Sequence, residues 1–172
     1  GPILPKSNGK EYILVIVDAY SSMTWLFNLT NKSSKNIIVC FKTLFGWIGT
    51  PQIVQSDNAQ EFRSQSIKEF FAENRVQQRY SVHYNAQANG LAERHVALVK
   101  DLLWKKTTQN YGDLTRWSKS TSEVQEILNN RVNKHTGLSP FNLHFSRYNN
   151  EQLNCDGNTF TKLITDEQLD EA

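Results

Sequence analysis

Two acidic residues, Asp57 and Glu93, combine a side-chain type and a spacing that could support metal chemistry, with 35 residues between them. Asp57 ends the short apolar, β-branched run 51–56 (PQIVQS), which predicts a strand, and Glu93 falls in the first turn of a helix predicted to begin at Leu91. Hard divalent cations prefer carboxylate oxygens on rigid elements. The pair therefore indicates a site for phosphodiester chemistry; the alternative is that Asp57 caps a turn and Glu93 stabilises a helix N-terminus.

The elements that would position these carboxylates begin with two strands and continue with helices between the later strands, an order typical of a mixed sheet covered by helices. The run 12–20 (YILVIVDAY) predicts a buried strand, the polar segment 84–90 (YNAQANG) predicts a loop, and Ser33 or Ser34 can cap a helix that stops before Gly49. Residues 23–30 predict a second strand, antiparallel to the strand at 12–20, and further strands are predicted at 51–56 and 76–82. Further helices are predicted at 66–74, from Leu91 onward, at 114–132 and after the turn 136–141.

Charge is distributed unevenly along the 172 residues, whose net charge is +2. Residues 150–172 contain six acidic residues and one basic residue, a net charge of −5, which leaves +7 on residues 1–149. A moderately basic domain suits a polyanionic partner without requiring one. We expect one domain over residues 1–149, an acidic extension or linker over residues 150–172, and no membrane span, because no apolar run approaches about 20 residues.

Several segments together resemble one family. Residues 56–62 (SDNAQEF) and 89–94 (NGLAER) resemble the second aspartate and the glutamate of retroviral integrases, and residues 136–141 (TGLSPF) are similar to a segment of gypsy-type retrotransposon integrases. The resemblance covers about residues 1–148. It implies an α/β, RNase H-like fold with a five-stranded mixed sheet flanked by helices. It also implies an integrase catalytic core domain over residues 1–149, Mg²⁺ or Mn²⁺ held by catalytic Asp57 and Glu93, and a homodimer or higher oligomer.

The sequence departs from the family pattern at its start. In the family the first catalytic aspartate lies on the opening strand, a few residues before a Gly-Pro-Leu-Pro-like segment, and this chain begins at Gly1 with GPILP. That aspartate is therefore absent from the sequence. Ala59 and Ala86 stand where the family usually has glycine and proline, which affects the loop geometry more than the fold.

Asp18 is a candidate third metal ligand. It matches a position on the family's second strand that is often aspartate without being catalytic. We expect its main role to be hydrogen bonding at the strand end with Ser21 or Ser22.

Residues that could bind DNA flank Glu93. Lys100 follows Glu93 by seven residues, two helical turns along the same face, and the family has a basic DNA-contacting residue at this place. Tyr84, Gln87 and Asn89 match loop positions that contact terminal nucleotides in the family, where tyrosine can stack on an unpaired base and amides can donate hydrogen bonds. The alternative for any one surface lysine is a solvated side chain.

The resemblance implies binding of element ends and target DNA, with 3′-end processing and strand transfer by metal-dependent phosphoryl transfer. With only Asp57 and Glu93, we expect residues 1–172 alone to be inactive or nearly so. The alternative is a domesticated, inactive integrase core that serves as a dimerisation or protein-interaction module. The missing aspartate favours this alternative, whereas the retained Asp57 and Glu93 favour the enzyme. An RNase H-type nuclease shares the fold but fits the TGLSPF segment poorly. A nuclear location follows from the DNA substrate, with the cytoplasm as the alternative.

Overall fold

The computed structural model describes residues 2–81, 86–134 and 136–147. Within these ranges, two strands come first and helices separate the later strands, as the sequence predicts. In chain order the elements are β1 (Tyr12–Val17), β2 (Thr24–Leu29), α1 (Ser34–Ile48), β3 (Ile53–Ser56), α2 (Gln65–Glu73), β4 (Gln77–Tyr80), α3 (Ala86–Tyr111), a 3₁₀ turn (Leu114–Arg116), α4 (Trp117–Asn130) and α5 (Pro140–Phe145).

The chain divides into two compact units. The first comprises Gly1–Val17 and Thr24–Glu126, and the second comprises Asp18–Met23 and Ile127–Ala172. The first unit contains all four strands and the helices α1, α2 and α3. The acidic segment 150–172 of the predicted domain division lies outside the described residues.

The four strands form two separate pairs. β1 and β2 are antiparallel, with Tyr12 opposite Leu29, and β3 and β4 are parallel, with Ser56 opposite Tyr80. Among the described residues no ladder joins the two pairs, so the expected single sheet of five strands is represented here by four strands paired two and two.

One hydrophobic cluster connects the two strand pairs within the first unit. Alternate side chains of β1, Tyr12, Leu14 and Ile16, pack against it, as the two-residue repeat of a strand requires, and Val54 of β3 packs against the same cluster. Its buried members come mainly from α1 and α2: Leu29, Ile37, Cys40, Phe41, Ile67, Phe70, Phe71 and Val76. The cluster therefore holds β3, and the residue that follows it, against both helices.

The strand β1 is less buried than its sequence predicts. Every residue from Tyr12 to Val17 is only half-buried, although all six side chains are apolar or aromatic. The prediction of a fully buried strand was wrong because β1 pairs with β2 alone among the described residues, which leaves its other edge without a strand neighbour.

Capping residues and helix breakers in the sequence predict the ends of α1 correctly but not the start of α3. Ser33 caps α1 by accepting a hydrogen bond from the Asn36 backbone N–H at 3.4 Å, and α1 ends before Gly49 as expected. The helix α3 begins at Ala86, not at Leu91, so the predicted loop is wrong for residues 86–90. The alanines in this stretch have the highest intrinsic helix propensity and outweigh the turn-forming Asn and Gly residues.

The second unit contains a short helix, α5, that is capped at its N-terminus. The Asn142 backbone N–H donates to Ser139 Oγ at 3.2 Å, while Asn142 Oδ1 accepts from the Ser139 backbone N–H at 3.2 Å. Pro140 occupies the first turn of α5, where it costs no hydrogen bond. The TGLSPF segment thus forms the predicted turn into a helix.

Of the helices the structure describes, none is both long enough and apolar enough to cross a membrane.

Candidate functional site

Asp57 lies where the sequence predicts it, directly after the last residue of β3. Its side chain is exposed, and its Oδ1 accepts a hydrogen bond from the Ala59 backbone N–H at 3.2 Å. Asx turns of this kind hold the aspartate in one orientation at the start of a loop. The carboxylate is therefore fixed locally and open to solvent.

The parallel pairing of β3 and β4 brings two chain segments to the same sheet edge. The Ser81 backbone N–H donates to the Ser56 carbonyl oxygen at 2.9 Å, so the chain leaves β4 beside the residue that precedes Asp57. After residues 82–85, which lie outside the described residues, the chain enters α3. This connection carries the chain from the Asp57 edge into the helix that bears Glu93.

Glu93 is an exposed residue of α3, seven positions after the helix begins at Ala86. The predicted place in the first turn is wrong because the helix starts earlier. Stabilisation by the helix dipole falls off within the first turn, so the interpretation of Glu93 as a favourable N-terminal charge loses its support. The convergence of Asp57 and Glu93 on one cation stays a prediction.

The predicted DNA-binding residues fall on or next to α3. Lys100 is exposed, and its spacing of seven from Glu93 places both on one face of the helix. Gln87 and Asn89 belong to the first turns of α3 and not to a loop. Tyr84 lies outside the described residues.

A polar concavity next to Asp57 was not predicted from the sequence. It has a volume of about 620 Å³ and is lined by Asn58, Gln60, Arg63 and Ser64. Ser64 caps α2 by accepting from the Ile67 backbone N–H at 3.4 Å. The run 56–64 (SDNAQEFRS) contains the residues that line this concavity, namely a capping serine, an arginine and two amides. Their sequence order alone does not show that the turn after β3 brings these side chains together.

An ion pair also lies on the segment that follows Asp57. Lys32 Nζ is 2.8 Å from Glu61 Oε1, and it lies 5.6 Å from the centroid of the Tyr12 ring. Its hydrogen bond to Glu61 raises the pKa of Lys32 above its ordinary value. Nothing in the sequence indicates this pairing, because Lys32 and Glu61 are far apart along the chain.

Asp18 belongs to the turn between β1 and β2, in the second unit. Its Oδ2 accepts hydrogen bonds from the Ser21 backbone N–H at 2.8 Å and from Ser21 Oγ at 2.6 Å, as the sequence predicts. His144 Nδ1 of α5 lies 3.7 Å from the same oxygen. A metal-binding role for Asp18 stays a prediction, whereas its role in the turn is explained by these contacts.

The Asp18 contacts predict a dependence of stability on acid pH. Partial burial would raise the pKa of this carboxyl, but the hydrogen bonds from Ser21 and the nearby His144 outweigh burial and hold the pKa below its ordinary value of 3.8. The stabilisation is therefore complete above pH 3.8 and is lost as the pH falls through the lower, folded-state pKa.

We expect Asp18→Asn to cost about 1 kcal/mol at pH 7, a value kept small because 35% of the side chain is exposed, and less near pH 2, where the stabilisation by the charged carboxylate is weakened. Thermal unfolding of both proteins at the two pH values measures the difference. An equal difference at pH 7 and pH 2 would contradict the assignment.

The donor set at Asp57 and Glu93 suits a hard cation. Both side chains offer carboxylate oxygens, which Mg²⁺ and Mn²⁺ prefer over softer ligands, and both are exposed. Across residues 2–81, 86–134 and 136–147, no group of three or more His, Cys, Asp or Glu side chains is close enough to hold a metal ion. The carboxylates of Asp57 and Glu93 are thus suitable ligands for Mg²⁺ or Mn²⁺. The described part of the chain contains no cluster of three such ligands.

Comparison with known protein families and sequences gives a consistent assignment. Residues 3–86, which include Asp57, match the family model described as integrase core domain. The chain is 33% identical over 145 residues to the Pro-Pol polyprotein of feline foamy virus, a match that covers 84% of this chain and 12% of that protein. It is 27% identical over 142 residues to the Transposon Tf2-3 polyprotein of Schizosaccharomyces pombe, covering 81% of this chain and 10% of the polyprotein. The chain thus spans about a tenth of the length of these relatives.

Solved structures with similar folds are integrases. One is the simian T-cell lymphotropic virus intasome in complex with the PP2A regulatory subunit B56 gamma, with a TM-score of 0.73, 22% identity and coverage of 83% of this chain and 51% of that one. Another is the HTLV-2 integrase catalytic core domain in complex with magnesium in its trimeric form, with a TM-score of 0.68, 23% identity and coverage of 84% and 92%. The α/β, RNase H-like prediction is confirmed by these likenesses. The chain therefore belongs to the integrase core domain family found in the polyproteins of retroviruses and LTR retrotransposons.

Proposed function

We propose that this chain is the core of an enzyme that binds the ends of a DNA element and joins them to target DNA by 3′-end processing and strand transfer. The observation that carries the proposal is the exposed carboxylate of Asp57 directly after β3, at the sheet edge from which the chain leads into α3 and Glu93. In open α/β sheets, ligands bind outside the carboxyl ends of the strands. The family match over residues 3–86 supports this assignment of the edge.

In this proposal Asp57 and Glu93 hold Mg²⁺ or Mn²⁺, and the similar HTLV-2 catalytic core domain, which was solved in complex with magnesium, supports the choice of ion. When bound, the ion would polarise the scissile phosphate and lower the barrier to attack by water or a 3′-hydroxyl. Asp57 has the rigidity this task requires, because the Ala59 backbone N–H fixes one of its oxygens. A third carboxylate would come from a residue before Gly1, and Asp18 is the other candidate.

Basic and polar side chains near these carboxylates would bind the DNA. Lys100 shares a helical face with Glu93 and would contact a phosphate. Tyr84, Gln87 and Asn89 would contact the terminal nucleotides by stacking and hydrogen bonding. Arg63, in the concavity beside Asp57, adds a further cation that suits a phosphate.

The second candidate function is a domesticated core that no longer cuts DNA and acts as a dimerisation or protein-interaction module. The gene sequence immediately before Gly1 discriminates the two: an aspartate two to four codons upstream favours the enzyme, and another residue there favours the module.

The experiment that tests the enzymatic proposal compares residues 1–172 with a longer form that includes the residues encoded before Gly1. We expect residues 1–172 to give no detectable strand-transfer or disintegration product with Mg²⁺ or Mn²⁺, because the metal clamp loses one bridging ligand. We expect the longer form, if it carries the aspartate, to give product on labelled oligonucleotide ends. Product from residues 1–172 alone would contradict the need for an upstream ligand.

The proposed assembly is a homodimer or higher oligomer, since the similar HTLV-2 core structures are described as trimeric and dimeric forms. On α1, Val39 and Trp47 are 55% and 64% exposed and lie eight residues apart, about two turns along the helix. Such an apolar surface suits contact with a second copy of the chain. We propose a nuclear location, where the DNA substrate is found.

A further inference from the structure

We propose that the ion pair between Lys32 and Glu61 positions the segment that carries Asp57 for metal binding, so that both residues act as positioning residues of the site. The inference rests on the proposed function, because it concerns the same carboxylate. It adds two residues that lie outside the Asp57 and Glu93 motifs. The segment meant here is residues 57–62.

The first step is the burial of Glu61. Its side chain is 17% exposed, whereas that of Lys32 is 47% exposed, and the two charged groups are 2.8 Å apart. Burial alone would raise the pKa of the Glu61 carboxyl, but the hydrogen bond from Lys32, a backbone hydrogen bond and the charge of Lys32 together outweigh burial and lower the pKa below its ordinary value. A largely buried carboxylate requires a partner, since leaving it unpaired costs far more than an exposed pair contributes. Glu61 is therefore held in place by Lys32.

Lys32 is itself held in place by its surroundings. Lys32 lies between the end of β2 and the start of α1, next to Ser33, whose backbone N–H donates to Asn31 Oδ1 at 3.0 Å. Its ammonium also lies over the ring of Tyr12, and Tyr12 packs against the hydrophobic cluster. The anchor for Glu61 is thus attached to β1, β2 and α1, not to a free surface loop.

Phe62, the residue after Glu61, is held in place by hydrogen bonds from β4. The Phe62 carbonyl oxygen accepts hydrogen bonds from Gln78 Nε2 at 2.8 Å and from the Tyr80 hydroxyl at 3.3 Å, both on β4. The Phe62 backbone N–H donates to the Ala59 carbonyl oxygen at 3.1 Å. Segment 57–62 is therefore fixed at its far end from two sides, while Asp57 at its near end stays exposed.

The fourth step is electrostatic. The ammonium of Lys32 interacts only weakly with the charge of Asp57, which makes the smallest of the contributions that raise the Lys32 pKa. Its bonded partner, however, is Glu61. Glu61 thereby neutralises a cation that would otherwise repel a metal ion at Asp57. Removing the charge of Glu61 therefore loosens the segment and leaves the Lys32 ammonium without the carboxylate that it pairs with.

The test measures two properties of residues 1–172. Solvent-exchange NMR of the Ala59, Phe62 and Arg63 amides reports the order of the segment without any metal, and proton relaxation of water reports Mn²⁺ binding. We expect Glu61→Gln to accelerate exchange of these amides at least about threefold and to weaken Mn²⁺ binding about tenfold, the lower end of the range for residues that orient metal ligands. We expect the exchanged pair Lys32→Glu with Glu61→Lys to restore the exchange rates to within about twofold of the parent, since it re-forms the contact.

The matched control is the ion pair of Lys6 and Glu11, whose charged groups are 2.6 Å apart on the segment before β1. Glu11→Gln should leave both readouts unchanged, and circular dichroism confirms that each variant is folded. Unchanged amide exchange in Glu61→Gln overturns the inference. Loss of Mn²⁺ binding in Asp57→Asn together with unchanged binding in Glu61→Gln overturns the inference alone, whereas unchanged Mn²⁺ binding in Asp57→Asn overturns the proposed metal site.

Discussion

Asp57→Asn and Glu93→Gln should each reduce strand transfer about a thousandfold in a form of the protein that includes the upstream aspartate. The amide variants keep the size of the side chain and remove the negative charge, so they abolish a metal ligand without creating a cavity. A thousandfold corresponds to about 4 kcal/mol of lost transition-state stabilisation, which is the scale of a metal clamp on a phosphoryl group. Rates of product formation on labelled element ends, measured at saturating DNA, give the comparison.

The control for these variants is Asp101→Asn. Asp101 is an exposed carboxylate on the same helix as Glu93, and it forms a 2.7 Å ion pair with Lys105 on the helix surface. Its removal should change the rate less than about twofold, because exposed pairs one turn apart contribute little. Equal losses in Asp101→Asn and Glu93→Gln would mean that α3 tolerates no loss of acidic charge, and the specific role of Glu93 would be wrong.

Trp117→Ala should destabilise the fold by about 3–5 kcal/mol, the usual cost of removing a buried aromatic side chain. Trp117 is fully buried at the start of α4, and its Nε1 donates to the Pro5 carbonyl oxygen at 2.9 Å. It therefore connects the N-terminal segment with α4 by both packing and a hydrogen bond. Chemical denaturation followed by circular dichroism measures the loss.

Two further variants separate the contributions of Trp117. Trp117→Phe keeps much of the apolar volume and removes the donor, so it should cost about 1–3 kcal/mol because the Pro5 carbonyl loses its partner. Trp47→Ala, at a side chain that is 64% exposed, should cost less than about 1 kcal/mol. A loss for Trp117→Ala no larger than for Trp47→Ala would show that the N-terminal contact contributes little to stability.

Local sequence patterns predict the elements on which Asp57 depends. The β-branched apolar run of β1, the serine cap of α1 and the β-branched run that ends at Asp57 are short-range signals, and each element forms as expected. The hydrogen bonding of Asp18 with Ser21 follows from the same kind of local reasoning, since the two residues lie within one turn. Short-range hydrogen bonds and hydrophobic periodicity dominate at these positions.

Contacts between distant residues could not be predicted in this way. The pairing of Lys32 with Glu61 and the two hydrogen bonds from β4 to Phe62 depend on how β3 and β4 pack beside α1 and α2. The predicted start of α3 was wrong because two local signals over residues 84–90 conflict. The asparagines and glycine favour a loop, whereas the alanines favour a helix, and one sequence alone does not show which preference is stronger. The half-burial of β1 likewise follows from the number of its strand neighbours and not from its own residues.

The open edge of β1 has a consequence for the behaviour of the protein in solution. Its six residues, YILVIV, carry no charge, proline or glycine, and among the described residues β2 is their one strand neighbour. Backbone groups on such an edge are a template for cross-β growth, and natural sheets protect them with lysines, prolines or a covering element. We therefore expect concentrated samples of residues 1–172 to associate through this edge.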